Sequence, residues 1–204
     1  MRPLARRQPL TTLALVTAAL AATSMATTPA HAAAPAQAAA PAHAAVPAQE
    51  AAPPPGFKNQ VLTELNHVRA QYGAKPLTWS DALYPDTEEW AKACKYENSQ
   101  AGGKYGENLF TTTDSNGGIK EAVASWMAEA SKYDYNSPGA SAATKNFTQT
   151  VWKGSTQVAA AIMTCPAQSL LASLTSGDSQ FIVARFSPPG NTEGKFAANV
   201  GRHD

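Results

Sequence analysis

Apolar residues return at helical spacing three times along this chain. Phe57, Val61, Leu65, Val68 and Tyr72 fall on one face of a helix over 57–72, which Gly73 stops. Ser80 is a candidate N-cap for a second helix running towards Tyr96, with Leu83, Trp90, Ala91 and Cys94 inward. Pro85 lies in its first turns, where proline is best tolerated. Ile119, Ala122, Val123, Trp126, Ala130 and Tyr133 mark a third helix, and a short one is expected from near Thr144 to near Trp152. The period then changes. Residues 156–164 (TQVAAAIMT) and 180–187 (QFIVARFS) read as strands separated by Ser176-Gly177-Asp178, and Pro188-Pro189-Gly190-Asn191 ends the second. Helices followed by antiparallel strands predict an α+β domain in which helices cover a small sheet.

Neither period is present before Gly56. Residues 1–55 hold most of the 15 prolines, a single acidic residue (Glu50) and no Trp, Tyr, Phe or Cys, so the folded domain is expected over 56–204. Arg2, Arg6 and Arg7, the mostly apolar stretch 11–22 and Ala30-His31-Ala32 read as an export signal over 1–32, which makes the expected product secreted. The Arg6-Arg7 pair suits twin-arginine export, but Pro9 does not, and the general secretory route fits better. Residues 33–55 form an Ala/Pro-rich linker. Removing 1–32 takes three of the 16 Lys and Arg and none of the 15 Asp and Glu, leaving 13 − 15 = −2. A balance so near neutral argues against a nucleic-acid partner. No apolar run reaches the roughly 18 residues of a spanning helix, and a monomer is expected.

The chemistry on offer is sparse. The domain keeps His67 and the tail His203, so a zinc site with paired imidazoles is hard to assemble, and there is no G-x-S-x-G elbow, P-loop or G-x-G-x-x-G. Cys94 and Cys165, in an exported chain, are more readily paired than reactive, with two separate buried thiols as the alternative. Glu107 lies between a glycine and Asn108-Leu109, and Glu129 leans towards the aromatic side of the third helix. These two carboxylates suggest a polar pocket, although two solvated glutamates are the plainer reading of the residues alone.

Five motifs in order carry a resemblance. They are Leu65-Asn66-His67-Val68-Arg69 with Leu77-Thr78-Trp79; Tyr105-Gly106-Glu107-Asn108-Leu109; Trp126-Met127-Ala128-Glu129 with Tyr133-Asp134-Tyr135; Asn146-Phe147-Thr148-Gln149-Thr150-Val151-Trp152; and the run from Phe181 to Asn191. From about Gly56 to Val200 the chain resembles the CAP superfamily, also called the SCP domain: cysteine-rich secretory proteins, antigen-five allergens and pathogenesis-related group-one proteins. The resemblance implies a three-layer α-β-α sandwich with a central cleft. Relatives commonly place two histidines and two glutamates there, and some bind a divalent metal. Carried over by position, the cleft is Asn98, Glu107, Glu129 and Asn146, with asparagine where the family has histidine. An amide oxygen is a hard, neutral ligand, so tight zinc binding should be lost while weak divalent-cation binding stays open. The amides could instead donate to the carboxylates in a structural network, which is the favoured expectation. The resemblance also implies a Cys94–Cys165 bridge, a second family bridge being replaced by Ala160 and Ala184 together. Val183-Ala184-Arg185 is similar to the disulfide-poor Golgi-associated branch.

For function, the resemblance implies a non-enzymatic secreted module that binds a lipid, a sterol or another apolar ligand, or a host or cell-surface partner. It assigns no catalytic, cofactor or metal residue. One alternative is a hydrolase or peptidase using Glu107 and Glu129 as acid and base. Another is a precursor that releases a C-terminal signalling peptide, Pro188–Asp204, as plant relatives do, although Ala184 and Phe186 depart from their cleavage signal.

Overall fold

The structure is a computed structural model that describes residues 52–99, 102–173 and 176–203. The expected export signal and all but the last residues of the linker lie outside them. Everything described belongs to one unit, Pro47–Asp204.

Helix α1 (Phe57–Gln71) forms on the expected stripe with one change. Phe57, Val61 and Leu65 are buried, but the next buried position is Arg69, and Val68 is only half-buried. A charged side chain is expected outside because burying it costs its hydration. Arg69 is fully buried because the chain offers it four carbonyls. Its Nη1 donates to Thr150 O at 2.8 Å and Trp152 O at 3.0 Å, Nη2 to Ser155 O at 3.0 Å and Nε to Lys75 O at 3.0 Å. The irregular turn over 150–155 exposes carbonyls that no helix or strand satisfies, and the guanidinium fork fits them. Burial lowers the Arg69 pKa to about 10, which leaves it charged at neutral pH.

Helix α2 (Tyr84–Lys92) is shorter at both ends than the periodicity predicts. Ser80 caps a preceding turn, its Oγ accepting from Leu83 N at 3.3 Å. The helix ends before Cys94, which adopts a left-handed backbone (φ 52°) and turns the chain away. Helix α3 (Ile119–Ala128) buries Ile119, Ala122, Val123 and Trp126 and continues as a 3₁₀ turn, Glu129–Lys132. Helix α4 (Lys145–Thr150) stands where the short helix was expected, and α5 (Ala167–Leu170) and α6 (Phe196–Asn199) are single turns.

The strands are β1 (Thr78–Trp79), β2 (Gly106–Thr112), β3 (Gln157–Pro166) and β4 (Asp178–Ser187), ordered β1-β3-β4-β2. β1 runs parallel to β3, and the other neighbours are antiparallel. The sequence pattern shows β3 and β4 but neither edge strand. β1 has two residues, and β2 reads GENLFTT, whose glycine, glutamate and asparagine disfavour strands in isolation. Val158 to Ala161 and Phe181 to Phe186 are buried without interruption. Strands covered on both faces lose the alternation of a half-exposed sheet. α2 and α5 pack on β3 and β4, while α3 and α4 pack against β2 and α1 against β1, β3 and α3. The result is the α-β-α sandwich that the resemblance implied. A second apolar cluster joins Tyr72, Tyr133, Phe147, Val151 and Trp152 to Phe196 and Val200 of the C-terminal tail.

Cys94 and Cys165 form the expected disulfide, with Cα atoms 5.7 Å apart, tying the end of α2 to β3 across 71 residues. In the oxidised chain, replacing both by serine should lower the unfolding free energy by about 2–4 kcal/mol, given a closed loop this long. Urea denaturation of wild type and variant measures it, and coincident midpoints would refute a stabilising bridge.

Candidate functional site

The site is assembled from five parts of the chain, the fifth being Arg185 on β4. β2 carries Glu107, the segment after α2 carries Tyr96 and Asn98, and the 3₁₀ turn faces the start of α4. In antiparallel pairing Glu107 lies opposite Arg185 of β4, so both side chains emerge on the same face. Arg185 Nε donates to Glu107 Oε2 at 2.9 Å, and their side chains are 2% and 6% exposed. An ion pair so deeply buried persists only when its remaining lone pairs are also satisfied. Ser99 supplies two donors, its N to Oε1 at 2.7 Å and its Oγ to Oε2 at 2.9 Å. Asn98 Nδ2 adds a fourth bond, to Oε1 at 3.2 Å.

Glu129 is engaged in a different way. Its Oε2 accepts from the backbone N of Asn146 at 2.9 Å and of Phe147 at 3.0 Å, and its Oε1 accepts from Asn146 Nδ2 at 2.7 Å. It therefore caps the first turn of α4 from outside that helix, where free N–H groups and the helix dipole favour a negative charge. Asn108, on the opposite face of β2 from Glu107, holds the same helix through Nδ2 bonds to Asn146 O at 2.9 Å and Thr150 Oγ1 at 3.0 Å. Gln149, buried in α4, accepts from Gly190 N at 2.9 Å and donates to Ser155 Oγ at 3.1 Å. A Cβ at Gly190 would lie 2.7–2.9 Å from the Gln149 amide, and one at Gly106 would also collide with it. Glycine is required at these two positions by close approach.

The four residues carried over from the resemblance thus sit in two amide–carboxylate pairs, Asn98 with Glu107 and Asn146 with Glu129. Between the pairs is a cavity of about 150 Å³ lined by Tyr96, Glu97, Asn98, Leu109, Lys145 and Asn146. Lys145 Nζ donates to Asn98 Oδ1 at 2.9 Å, which places a fixed positive charge against the neutral oxygen a hard cation would need. Tyr96 is half-exposed and edge-on to Phe181; its pKa is raised by burial and, secondarily, by the Glu129 charge, so it stays neutral at physiological pH. Among the described residues, no three His, Cys, Asp or Glu side chains form a group that could hold a metal ion. His67 is exposed on α1, with Gln71 Nε2 3.5 Å from its Nε2, and lines no part of this cavity.

Sequence reasoning missed Arg185, Ser99 and Lys145 as parts of the site. One signal was available: a guanidinium inside the apolar run Phe181–Phe186 demands a carboxylate on a neighbouring strand. Ser99 and Lys145 carry no such mark, because only folding brings them to the carboxylate and the amide.

The family described as "Cysteine-rich secretory protein family" (CAP) matches residues 62–186. Among individual relatives, "Protein PRY2" of Saccharomyces cerevisiae is 33% identical over 147 residues, 71% of this chain and 41% of that protein. The chain therefore spans about two fifths of PRY2. Human "Golgi-associated plant pathogenesis-related protein 1" is 31% identical over 153 residues, 71% of this chain and 92% of that protein. "Pathogenesis-related protein PR-1" of Medicago truncatula is 32% identical over 145 residues, covering 68% of this chain and 78% of that protein. These three names carry no enzymatic term. "Secreted protein RBT4" of Candida albicans is 33% identical over 144 residues, 68% of this chain and 36% of that protein. Among solved structures, "Hookworm Platelet Inhibitor" aligns with TM-score 0.59 at 18% identity, covering 75% of this chain and 80% of that one. "NaASP2 with Zn2+" aligns with TM-score 0.57 at 18% identity, covering 73% and 88%. At these identities the structures speak for the fold alone.

Two substitutions probe the carboxylates. Glu107→Gln leaves Arg185 buried without a counter-charge and should cost about 3 kcal/mol or more. Glu129→Ala removes the cap of α4 and should cost about 1–2 kcal/mol. Thermal unfolding of the purified variants, ranked against wild type, checks both the sizes and the order.

Proposed function

Since the chain belongs to the cysteine-rich secretory protein family, we propose that it is a secreted, non-enzymatic binding module whose family cleft is a closed polar network. The observation that carries this reading is the engagement of both carboxylates. Glu107 accepts four hydrogen bonds and Glu129 three. A general base needs a free lone pair within reach of its substrate's proton. A zinc ion needs nitrogen, sulfur or free carboxylate donors in tetrahedral array. Here the amides turn their N–H groups to the carboxylates, and the Asn98 oxygen faces the Lys145 ammonium. A resident transition metal does not fit this donor set, so no metal-assisted or acid–base hydrolysis is assigned to Glu107 and Glu129.

Binding is the activity that remains. The cleft's rigidity leaves the neighbouring loop, 134–143, to form surfaces of another kind. Beside α4 lies a cavity of about 300 Å³ lined by Ala140, Ser141, Ala142, Lys145, Thr148, Asn191 and Phe196. Its apolar residues suit an apolar ligand such as a lipid or sterol, and its size is that of a small-molecule site. The names of relatives such as the Candida albicans secreted protein support an extracellular site of action. The described residues contain no helix long and apolar enough to cross a membrane.

The C-terminal segment is bound into the domain. Phe196 and Val200 are buried in the second cluster, Ser155 Oγ donates to Pro188 O at 2.8 Å, and Tyr135 Oη donates to Gly201 O at 2.9 Å. Releasing Pro188–Asp204 would strip these contacts from the fold, and this favours the binding reading over a peptide precursor.

Native mass spectrometry of the protein from its own secretion medium tests the proposal. The expected spectrum shows the disulfide mass, one apolar adduct and no stoichiometric zinc. A one-to-one zinc adduct that survives desalting would overturn the cleft reading, and an adduct-free spectrum with no binding across a lipid panel would overturn the ligand. A second test restores imidazoles. Asn98→His with Asn146→His should gain zinc affinity, and adding Lys145→Met should raise it further by removing the resident charge; isothermal titration reads both steps.

A further inference from the structure

The sheet face that carries Arg185 and Glu107 opens into a third cavity, of about 550 Å³. It is lined by Asp86, Glu89, Trp90, Ala93, Ser99, Tyr105 and Arg185. The four residues from α2 and its C-cap fall at i, i+3, i+4 and i+7, so they share one face of the helix. Asp86 and Glu89 are exposed, and Trp90 is half-buried with its Nε1–H donated to Glu97 O at 3.1 Å. That bond fixes the indole and leaves its ring to form a wall. Opposite stands Arg185, stacked on Tyr105 with the guanidinium carbon 4.2 Å from the ring centroid. Its side chain is 2% exposed, yet only Nε is hydrogen-bonded, to Glu107. Both Nη groups are without a partner among the described residues.

Among the described residues this buried guanidinium is satisfied at one nitrogen of three, which leaves it donors to fill. Its free end suits an oxyanion in a bidentate contact. The other wall has the opposite character. Two exposed carboxylates beside an indole face suit a positively charged, weakly hydrated ammonium group. Because Glu107 neutralises Arg185, the cavity carries no excess positive charge that would expel a cation. A simple anion would meet Asp86 and Glu89, and a simple cation would leave the Arg185 donors unfilled. We propose that this cavity is a binding site for a small zwitterion, with its phosphate or carboxylate oxygens on Arg185 and its ammonium group between Trp90 and the Asp86 and Glu89 carboxylates. The site adjoins the amide–carboxylate cleft, with Ser99 and Arg185 shared between them through Glu107, and does not depend on the apolar ligand proposed above.

Phosphocholine is the test ligand, with choline and inorganic phosphate as its separated halves. Titrations of the whole chain are followed by the indole N–H resonance of Trp90, assigned through Trp90→Phe. Joining the two groups should give saturable binding about tenfold or more tighter than either half alone. Asp86→Asn with Glu89→Gln should weaken it at least about fivefold, and these exposed positions leave melting unchanged. Lys145→Met, in the other cleft, should leave it unaltered. Dihexanoylphosphatidylcholine below its micelle concentration separates the possible sources: tighter binding than phosphocholine assigns a lipid headgroup, and equal binding a free zwitterion. No saturable shift of Trp90, equal affinity for phosphocholine and choline, or full retention of affinity in the double variant would each overturn the proposal.

Discussion

Arg185 sits in the middle of an apolar strand with its side chain only 2% exposed, and the architecture around β2 answers that constraint. A buried guanidinium needs a counter-charge, and on an antiparallel neighbour the counter-charge must stand directly opposite. Glu107 provides it, 2.9 Å away. The pair fixes the register of β2 against β4, because a slip of one residue would carry Glu107 to the other face of the sheet. Once that register is set, Asn108 must face α4, where it bonds Asn146 O and Thr150 Oγ1. The charge requirement of Arg185 thus helps to hold the edge strand and the short helix where Gly106, Glu107 and Asn108 supply little strand propensity.

The same demand for satisfaction shapes the cleft. Glu129 spends its lone pairs on the first turn of α4, and Glu107 spends its own on Arg185, Ser99 and Asn98. A carboxylate engaged in this way is held in one orientation and has few lone pairs to offer a substrate. The network contributes positional order, with side chains that each restrain the next, and has little left for catalysis. Lys145 completes it by supplying a charge that belongs to the chain itself. Arg185 differs, since folding leaves its outer nitrogens facing a cavity, and unfilled donors in a low-dielectric wall are where ligand affinity originates.

A second buried guanidinium, Arg69, acts by another rule. Among the described residues it meets no carboxylate and is held by four backbone carbonyls. These tie α1 to the turn after α4, and therefore tie the first helix to the segment on which Tyr72, Trp152 and the C-terminal tail pack. The tail is part of this core, with Phe196 and Val200 buried beside Phe147.

Periodicity by itself determined the three main helical stripes, the two long strands and the sharp stop at Pro188, because each of these is a local pattern repeated over many residues. The motif order was enough to indicate the fold family and the Cys94–Cys165 pairing. Tertiary structure alone decided that β2 and β1 are strands, that Arg69 rather than Val68 turns inward, and that Ser99, Lys145 and Arg185 join the acids. These outcomes turn on partners distant in the chain: Glu107 meets Arg185 across 78 positions and Arg69 meets Thr150 across 81. Local propensity reports what a segment prefers alone, whereas the placement of a charge depends on which distant groups arrive to satisfy it.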